Sequence, residues 1–239
     1  MIQNHISAYF FSILFLFFAA PLLSQETTIQ EKAIEDSLAN REKFGLRVGA
    51  DISKLLRTAF QDDYSGFEIL GDYRVYKDYY AAAELGNESI GYAEDNISIT
   101  SRGSYVKIGV DYNAYENWTG MENLIFVGAR YGFSTFTQDV EEYQIYTTNP
   151  FFEPDIRSET IEYSGLTANW VELIAGIKVE VLNNLFLSVN VQLKRRLFQS
   201  TPDNFDNLAI PGFNRTYDDS NIGVGYGYTI SYLIPFYKK

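Results

Sequence analysis

The sequence predicts an all-β protein: an eight-stranded antiparallel up-and-down transmembrane β-barrel with a short N-terminal periplasmic arm. Three observations predict this fold. Apolar residues recur at every second position from Phe44 onward, short and long connections alternate along the chain, and the polar strand faces carry equal numbers of positive and negative charges. A period of two indicates β-strands, because successive side chains point to opposite faces.

Length and composition set the outer limits. A chain of 239 residues suits one domain of this type, and its net charge of −12 argues against nucleic acid as a partner. Cysteine is absent, which excludes disulfides and thiolate metal sites. The sequence has no apolar run of about 20 residues, so no membrane-spanning helix is predicted.

The first 25 residues predict a signal peptide. Tyr9 to Ala20 form a short apolar run, and Pro21 and the small residue Ser24 follow just before Gln25. This length fits a cleaved export signal, although the n-region has only His5 as a basic residue. A buried apolar helix is the alternative. With the signal removed, the remaining chain has neither histidine nor cysteine.

Residues 26–43 are predicted to form a periplasmic arm before the barrel domain of residues 44–239. The segment is polar and charged, with Ile29, Ala33, Ile34 and Leu38 at helical spacing. It is either a partly ordered linker or an element that docks on a partner.

Eight strands are predicted from the alternation of apolar and polar residues. In the fourth strand, Val106, Ile108 and Val110 fall on one face while Lys107 and Asp111 fall on the other. No helical pattern is expected between strands, so neighbouring strands should be antiparallel. The predicted ranges are 44–53, 65–75, 79–88, 102–113, 123–134, 168–181, 185–197 and 222–236.

The connections are short after the second, fourth and sixth strands and longer after the first, third, fifth and seventh. The longest are 135–167 and 198–221. Short turns at one end and long loops at the other are typical of outer-membrane barrels, whose long loops lie outside the cell.

The polar faces are predicted to line the barrel interior, and the apolar faces to contact lipid. The polar faces carry seven positive and seven negative residues, a balance that a closed interior needs because buried charges must be paired. Glycines on the polar faces leave room for these long side chains, and aromatics near the strand ends resemble interface girdles. The predicted interior charge network consists of Arg47, Asp51, Glu68, Asp72, Arg74, Glu84, Lys107, Asp111, Arg130, Glu172, Lys178, Glu180, Lys194 and Arg196.

Several stretches resemble an uncharacterised family of small outer-membrane β-barrels from Bacteroidota. They are KFGLRVGADISKLLR, GFEILGDYRVYKDYYAAAELG, GSYVKIGVDYN and WVELIAGIKVEVLNNLFL, and the resemblance covers about residues 40–239. The closing GYGYTISYLIPFYKK resembles a terminal-strand signal read by the outer-membrane assembly machinery. The resemblance implies fold and location and brings no catalytic motif.

Composition disfavours an enzyme. Lipid-modifying enzymes on small outer-membrane barrels use histidine-centred chemistry, and the mature chain would lack histidine. A carboxylate pair such as Glu68 and Asp72 remains an alternative, although partnership with interior cations is the expected role. The acidic and aromatic loop 138–163 suits a partner surface better than a calcium site, since no EF-hand spacing is present.

We therefore expect a non-enzymatic outer-membrane barrel that serves as an accessory or scaffold subunit of an envelope complex in a Gram-negative cell. Expected partners are outer-membrane lipid, the assembly machinery during insertion, and an envelope protein bound through the loops or residues 26–43. No cofactor or metal is predicted. The alternatives are a carboxylate-based enzyme acting on envelope lipid or glycan, and a soluble secreted ligand-binding barrel with its apolar face inside.

Overall fold

The computed structural model of the protein describes residues 43–94, 96–115, 122–145, 155–217 and 220–238. The predicted signal peptide and all but the last residue of the predicted arm lie outside the described residues. The strands are β1 Lys43–Asp51, β2 Tyr64–Tyr76, β3 Tyr79–Glu94, β4 Ile97–Asn113, β5 Leu124–Ile145, β6 Asp155–Arg157, β7 Ile161–Leu182, β8 Leu185–Gln199, β9 Ala209–Ile210, β10 Asn214–Arg215 and β11 Ile222–Lys238, and a helix α1 spans Ile52–Phe60.

Nine strands form one large antiparallel sheet in the order β4-β3-β2-β1-β11-β8-β7-β5-β6. A further pairing joins β4 to β5, so the sheet closes nearly into a ring. The strand β6 is the element that the sequence did not predict in this sheet, and it pairs only through Tyr143 to Ile145 of β5. The first and last strands of the sheet, β1 and β11, lie side by side.

The charged strand faces point inward and the apolar faces point outward. In β4, Lys107 and Asp111 are buried, whereas Ile108, Val110 and Tyr112 are exposed. The same division runs through β7, where Glu172 and Lys178 are buried and Leu173 and Ile177 are exposed. This is the reverse of a soluble barrel, in which apolar side chains fill the interior.

The outward apolar residues form a band with a polar margin. In β7 the outward residues from Val171 to Val181 are apolar, a stretch of eleven residues. Beyond it, the outward positions Asn87, Ser104, Thr135 and Thr167 follow one another as register partners on four neighbouring strands. The band is about as long as a tilted strand needs to cross a hydrocarbon layer, for which 9–11 residues suffice.

The strands continue past this margin, further than their alternation predicted. The fifth predicted strand ends at 134, yet β5 runs to Ile145. The third and fourth strands likewise extend into the predicted loop 89–101, with only residues 95–96 between them. Beyond the apolar band the outward face is polar, while the inward face mixes buried apolar residues such as Phe136 and Val140 with polar ones. The period of two therefore fades from the sequence although backbone pairing persists.

Helix α1 corrects the predicted first strand, which was to run to Ser53. The chain leaves the sheet at Asp51, whose carboxylate accepts a hydrogen bond from the Ser53 backbone N–H at 2.7 Å and caps the helix. Because Ile52 also fits the alternation of the strand, the sequence pattern did not reveal that the helix starts there. No helix in the described ranges is both long enough and apolar enough to cross a bilayer.

The short connections lie at the end of the sheet where β1 begins and β11 ends. Residues 77–78 and 183–184 make two-residue turns, with positive φ at Lys77 and Asn184. Aromatic side chains cluster near this end: the Tyr79 and Tyr112 rings lie 5.2 Å apart between centroids. We refer to it below as the turn end and to the opposite end as the loop end.

A small hairpin, β9–β10, folds into the interior from the loop end. Its Ile210 and Phe213 are fully buried and contact Tyr105 and Trp170 from the wall. The predicted long loop 198–221 is therefore partly an internal plug, and an apolar core lies around it in the loop-end half of the lumen.

Candidate functional site

The candidate site is the interior charge network, which has two parts. The part nearer the turn end is centred on Asp72 of β2. Its carboxylate accepts hydrogen bonds from Arg47 Nε at 2.7 Å and from Lys178 Nζ at 2.6 Å. Arg47 stands on the neighbouring strand and is the register partner of Asp72, whereas Lys178 reaches it from β7 across the lumen.

The larger part is centred on Lys107 of β4, whose side chain is 2 % exposed. Its Nζ lies 2.6 Å from Glu84, 3.2 Å from Glu68 and 3.9 Å from Glu172. Four strands thus supply one lysine and the three carboxylates around it. Since a buried ammonium is tolerated only when paired, this cluster must form as a unit.

Arg130 and Lys194 extend the larger part on either side. Arg130 forms a two-pronged pair with Asp111, at 2.7 and 2.9 Å, and its Nε reaches Glu84 at 3.1 Å. Such bidentate geometry is the strongest form of a guanidinium–carboxylate contact. Lys194 lies 3.5 Å from Glu172, its register partner on β7.

Aromatic side chains donate further hydrogen bonds to the carboxylates. The Tyr105 hydroxyl donates to Glu68 at 2.6 Å, and the Trp170 indole N–H donates to Glu172 at 2.7 Å. A Cβ at Gly86 would collide with the Tyr105 ring, and a Cβ at Gly132 with the Trp170 ring. The inward glycines therefore make room for these rings to cross the lumen.

Ten of the fourteen predicted network residues take part in these ion pairs. Asp51 instead caps α1, and Glu180 accepts a hydrogen bond from the Asn184 backbone N–H at the turn end. Arg74 donates to the Lys77 carbonyl in the adjacent turn, and Arg196 donates to Asn221 at 3.0 Å near the loop end. The structure thus brings the predicted residues of the strand centres together and leaves those at strand ends with local partners.

Two charged residues of the network were missed. Lys54 of α1 forms a 2.5 Å ion pair with Glu88 of β3, and it lies 3.9 Å from Glu68. Glu88 also accepts hydrogen bonds from the Tyr64 hydroxyl and the Gly212 backbone N–H, both at 2.6 Å. A sequence pattern that could have predicted the helix is present. Apolar residues at helical spacing form one face and place Lys54 on the opposite face; they are Ile52, Leu55, Leu56, Ala59 and Phe60.

The plug hairpin is tied to the network at Gly212. Its N–H donates to Glu88, and its carbonyl accepts a hydrogen bond from Lys194 at 2.7 Å. Gly212 has a φ of +84° and lies against the Tyr105 ring, so a side chain there would be strained and would clash.

A cavity of about 190 Å³ opens between α1 and β11. Its charged lining consists of Lys54, Arg57, Lys107 and Lys194 against Asp51 and Glu68, four cations and two carboxylates. Arg57 stacks on Tyr64, with its guanidinium carbon 3.7 Å from the ring centroid. No carboxylate lies within ion-pair distance of Arg57 among the described residues.

The carboxylates that were considered for catalysis have separate structural roles. Glu68 contacts Lys107 and Tyr105, whereas Asp72 contacts Arg47 and Lys178. Each therefore has its own buried hydrogen-bond donors, and neither stands beside the other as an acid–base pair.

The acidic and aromatic stretch 138–163 is divided among several local contacts. The Tyr143 and Phe205 rings meet edge to face with centroids 5.2 Å apart, and Asp139 pairs with Arg102. Asp155 pairs with Arg157 at 2.9 Å, and the hydrogen bond lowers the pKa of Asp155. Residues 146–154 lie outside the described residues. Across the described ranges, no group of three or more acidic, histidine or cysteine side chains is arranged to hold a metal ion.

The chain was compared with known proteins. A family model described as a domain of unknown function, DUF6048, matches residues 6–239. No curated protein matches the chain. Every element of the sheet, the plug hairpin and the charge network lie within the matched region. The chain belongs to the DUF6048 family.

Proposed function

We propose that the protein is a non-enzymatic, eight-stranded outer-membrane β-barrel of a Gram-negative cell, of the kind that its sequence resembles in Bacteroidota. We further propose that it serves as an accessory or scaffold subunit of an envelope complex. The observation that carries this proposal is the inverted polarity of the sheet: Lys107 and Asp111 are buried while Ile108 and Val110, on the same strand, are exposed. In the proposal β6 is an accessory strand outside the ring.

The exposed apolar band supports the proposal that lipid surrounds the protein. Exposed apolar patches on soluble monomers rarely exceed a few hundred Å². Here the outward faces of the long strands are apolar on every side of the ring, as Val48, Ile69, Val127, Val189 and Ile230 illustrate. Outer-membrane barrels have such a band, with aromatic residues at its edges and polar residues beyond.

The filled interior supports a role other than transport or catalysis. An eight-stranded barrel is only wide enough for its own side chains, and here ion pairs and the plug hairpin occupy that space. The strands that continue past the polar margin give the loop end an ordered surface, and such surfaces suit partner binding.

Membrane insertion is tested by expressing the chain in a Gram-negative host and separating the membranes. We expect the protein in the outer-membrane fraction, resistant to carbonate extraction and shifted in electrophoretic mobility by boiling. Recovery as a soluble periplasmic protein without detergent would overturn the proposal.

The scaffold role is tested by purification in mild detergent, followed by mass spectrometry and reciprocal purification from each candidate partner. We expect at least one envelope protein at a fixed ratio. A protein that purifies only as a free monomer, under conditions that preserve other envelope complexes, would contradict the scaffold role.

Residues 26–42 can be removed without touching the sheet, since β1 begins at Lys43 and pairs with both β2 and β11. We predict that a deletion of 26–42 behind an intact export signal leaves a boiling-sensitive, protease-resistant barrel. The deleted form should lose the co-purifying protein. If it keeps that protein at the same ratio, the arm is only a linker and the loop end holds the partner.

A further inference from the structure

Helix α1 stands where the wall of the sheet is incomplete. Strand β1 ends at Asp51, opposite Thr229, while β11 continues to Ile222 on the same side of the ring. On the other side, β2 continues to Tyr64 beyond its last pairing with β1, at Ile69. Toward the loop end, therefore, no strand lies between β2 and β11.

The helix covers the free edge of β2 in this gap. The Thr58 hydroxyl accepts a hydrogen bond from the Gly66 N–H at 2.8 Å, and its own proton is within reach of the Lys54 carbonyl at 2.9 Å and the Gly66 carbonyl at 3.1 Å. This side chain thus satisfies a backbone N–H that a longer β1 would have paired. The helix is consequently a wall element rather than a loop that lies over the opening.

The helix has the same inverted polarity as the strands. Lys54 points into the lumen toward Glu88, and Arg57 lies over Tyr64. The opposite face consists of Ile52, Leu55, Leu56, Ala59 and Phe60, and Phe60 is 83 % exposed. A helix on a soluble protein turns such a stripe toward the core. The apolar stripe of α1 instead continues the outward apolar band of the neighbouring strands.

The cavity beside the helix joins the lumen to the outer surface. Lys107 and Lys194 line it from inside, whereas Val224 and Tyr226 also line it and are 74 % and 58 % exposed to the outside. It is therefore a lateral opening between α1 and β11. Lys54, Lys107 and Lys194 in its lining already have carboxylate partners in Glu88, Glu84 and Glu172. Arg57 is the cation of the lining that has no carboxylate within ion-pair distance among the described residues.

We propose that this opening is a binding site for an anionic membrane lipid. The phosphate of the headgroup binds at Arg57, and an acyl chain lies along the outward face of α1. Two observations select a lipid as the occupant: the Arg57 guanidinium, which has no carboxylate partner among the described residues, complements a phosphate, and the apolar stripe is continuous with the band that faces the membrane in the proposed function. The inference rests on that proposed function.

The headgroup contact is tested in nanodiscs by native mass spectrometry of the lipids that stay bound. The intact protein should retain phosphatidylglycerol in preference to phosphatidylcholine. Arg57→Gln should weaken that retention about tenfold, as expected for one lost charge-assisted contact. The matched control is Arg157→Gln, which removes an arginine from the exposed pair with Asp155 and should change nothing. Equal retention of the two lipids, or equal retention by the intact protein and Arg57→Gln, would overturn the inference.

Inorganic phosphate separates a lipid from a soluble anion. We expect millimolar phosphate to leave the bound phosphatidylglycerol in place, because the acyl chain contributes to binding. Complete displacement by phosphate would overturn the assignment to a lipid.

The helix contact is tested with single cysteines, which the chain allows because it has none of its own. A fluorophore on Phe60→Cys should be quenched by lipids that carry a quencher in the acyl chain, as should one on Val110→Cys. A fluorophore on Asp203→Cys, in an exposed loop, should not be quenched. If Val110→Cys is quenched and Phe60→Cys is not, the lateral site fails while the barrel in the membrane stands. If neither is quenched, the proposed function itself fails.

Discussion

Asp72 illustrates how much a single residue contributes to the interior, because one carboxylate contacts two buried cations. Arg47 and Lys178 both lie within 2.7 Å of it, and all three side chains are almost fully buried. Removal of one partner from a buried ion pair leaves the other charge buried without compensation, which costs about 3–5 kcal/mol of stability.

We predict that Asp72→Asn lowers the free energy of unfolding by about 3 kcal/mol, since the amide keeps the shape and loses the charge. The measurement is the urea midpoint for loss of the boiling-sensitive form in lipid vesicles. Asp155→Asn, which removes a carboxylate from a fully exposed pair with Arg157, should leave the midpoint unchanged. Equal midpoints for the two variants would contradict a structural role for the interior pair.

Individual network residues could be predicted where the strand alternates clearly. Glu84 and Lys107 are register partners on β3 and β4, and both were identified from their polar face. Lys54 could not be identified in this way, because its position on α1 follows a helical period. Glu88 was missed because its strand was already predicted to end there. The identity of the pairs across the lumen, such as Lys178 with Asp72, depends on ring closure and has no local sequence signal.

At the level of elements, the apolar band determines which part of each strand can be predicted from the sequence. Strands β5 and β7 each have 22 residues, about twice the length that a membrane crossing requires. A clear alternation appears only where the outward face is apolar. In the outer halves of these strands the outward face is polar and the inward face mixes buried apolar residues with polar ones, so they resembled loops in the sequence.

The band makes a depth-dependent prediction for substitutions on one strand. Val110 and Ser104 are both exposed on the outward face of β4, with Val110 within the band and Ser104 at its polar margin. Val110→Arg should cost about 2–4 kcal/mol and Ser104→Arg about 0–1 kcal/mol, because the cost of a charge falls toward the membrane surface. Folding yield and urea midpoints in vesicles measure the difference. Equal stability of the two variants would mean that this face does not contact lipid.

At the level of the whole molecule, the turn-end half of the interior is closely packed. A cavity there that reaches Asp72, Glu84 and Lys178 has a volume of about 40 Å³, close to that of one or two waters. In the loop-end half, the plug hairpin packs against the wall beside the lateral cavity of about 190 Å³. The side chains of the turn-end half therefore leave little room for a water channel.

We predict that the protein shows no stable unitary currents in planar bilayers. A variant in which a Gly-Ser linker replaces residues 207–216 should also show no currents. The ion pairs of Asp72 with Arg47 and Lys178, which lie nearer the turn end, remain in this variant. Currents from the intact protein would contradict a filled lumen. Currents from the linker variant alone would show that the hairpin is the seal.

The long sequence separations within the network also bear on how the barrel assembles. Lys178 and Asp72 are 106 residues apart, and Gly212 and Glu88 are 124 residues apart. These contacts form only when β11 has met β1, so an open sheet carries charges that have lost water without gaining partners. Such a half-closed intermediate is electrostatically unfavourable. The pairing of β1 with β11 and the pairing of charges in the lumen therefore occur together, as one cooperative step. The charge pattern of the interior thereby disfavours some wrong registers, since a two-residue slip between β1 and β2 would place Arg47 opposite Arg74 instead of Asp72.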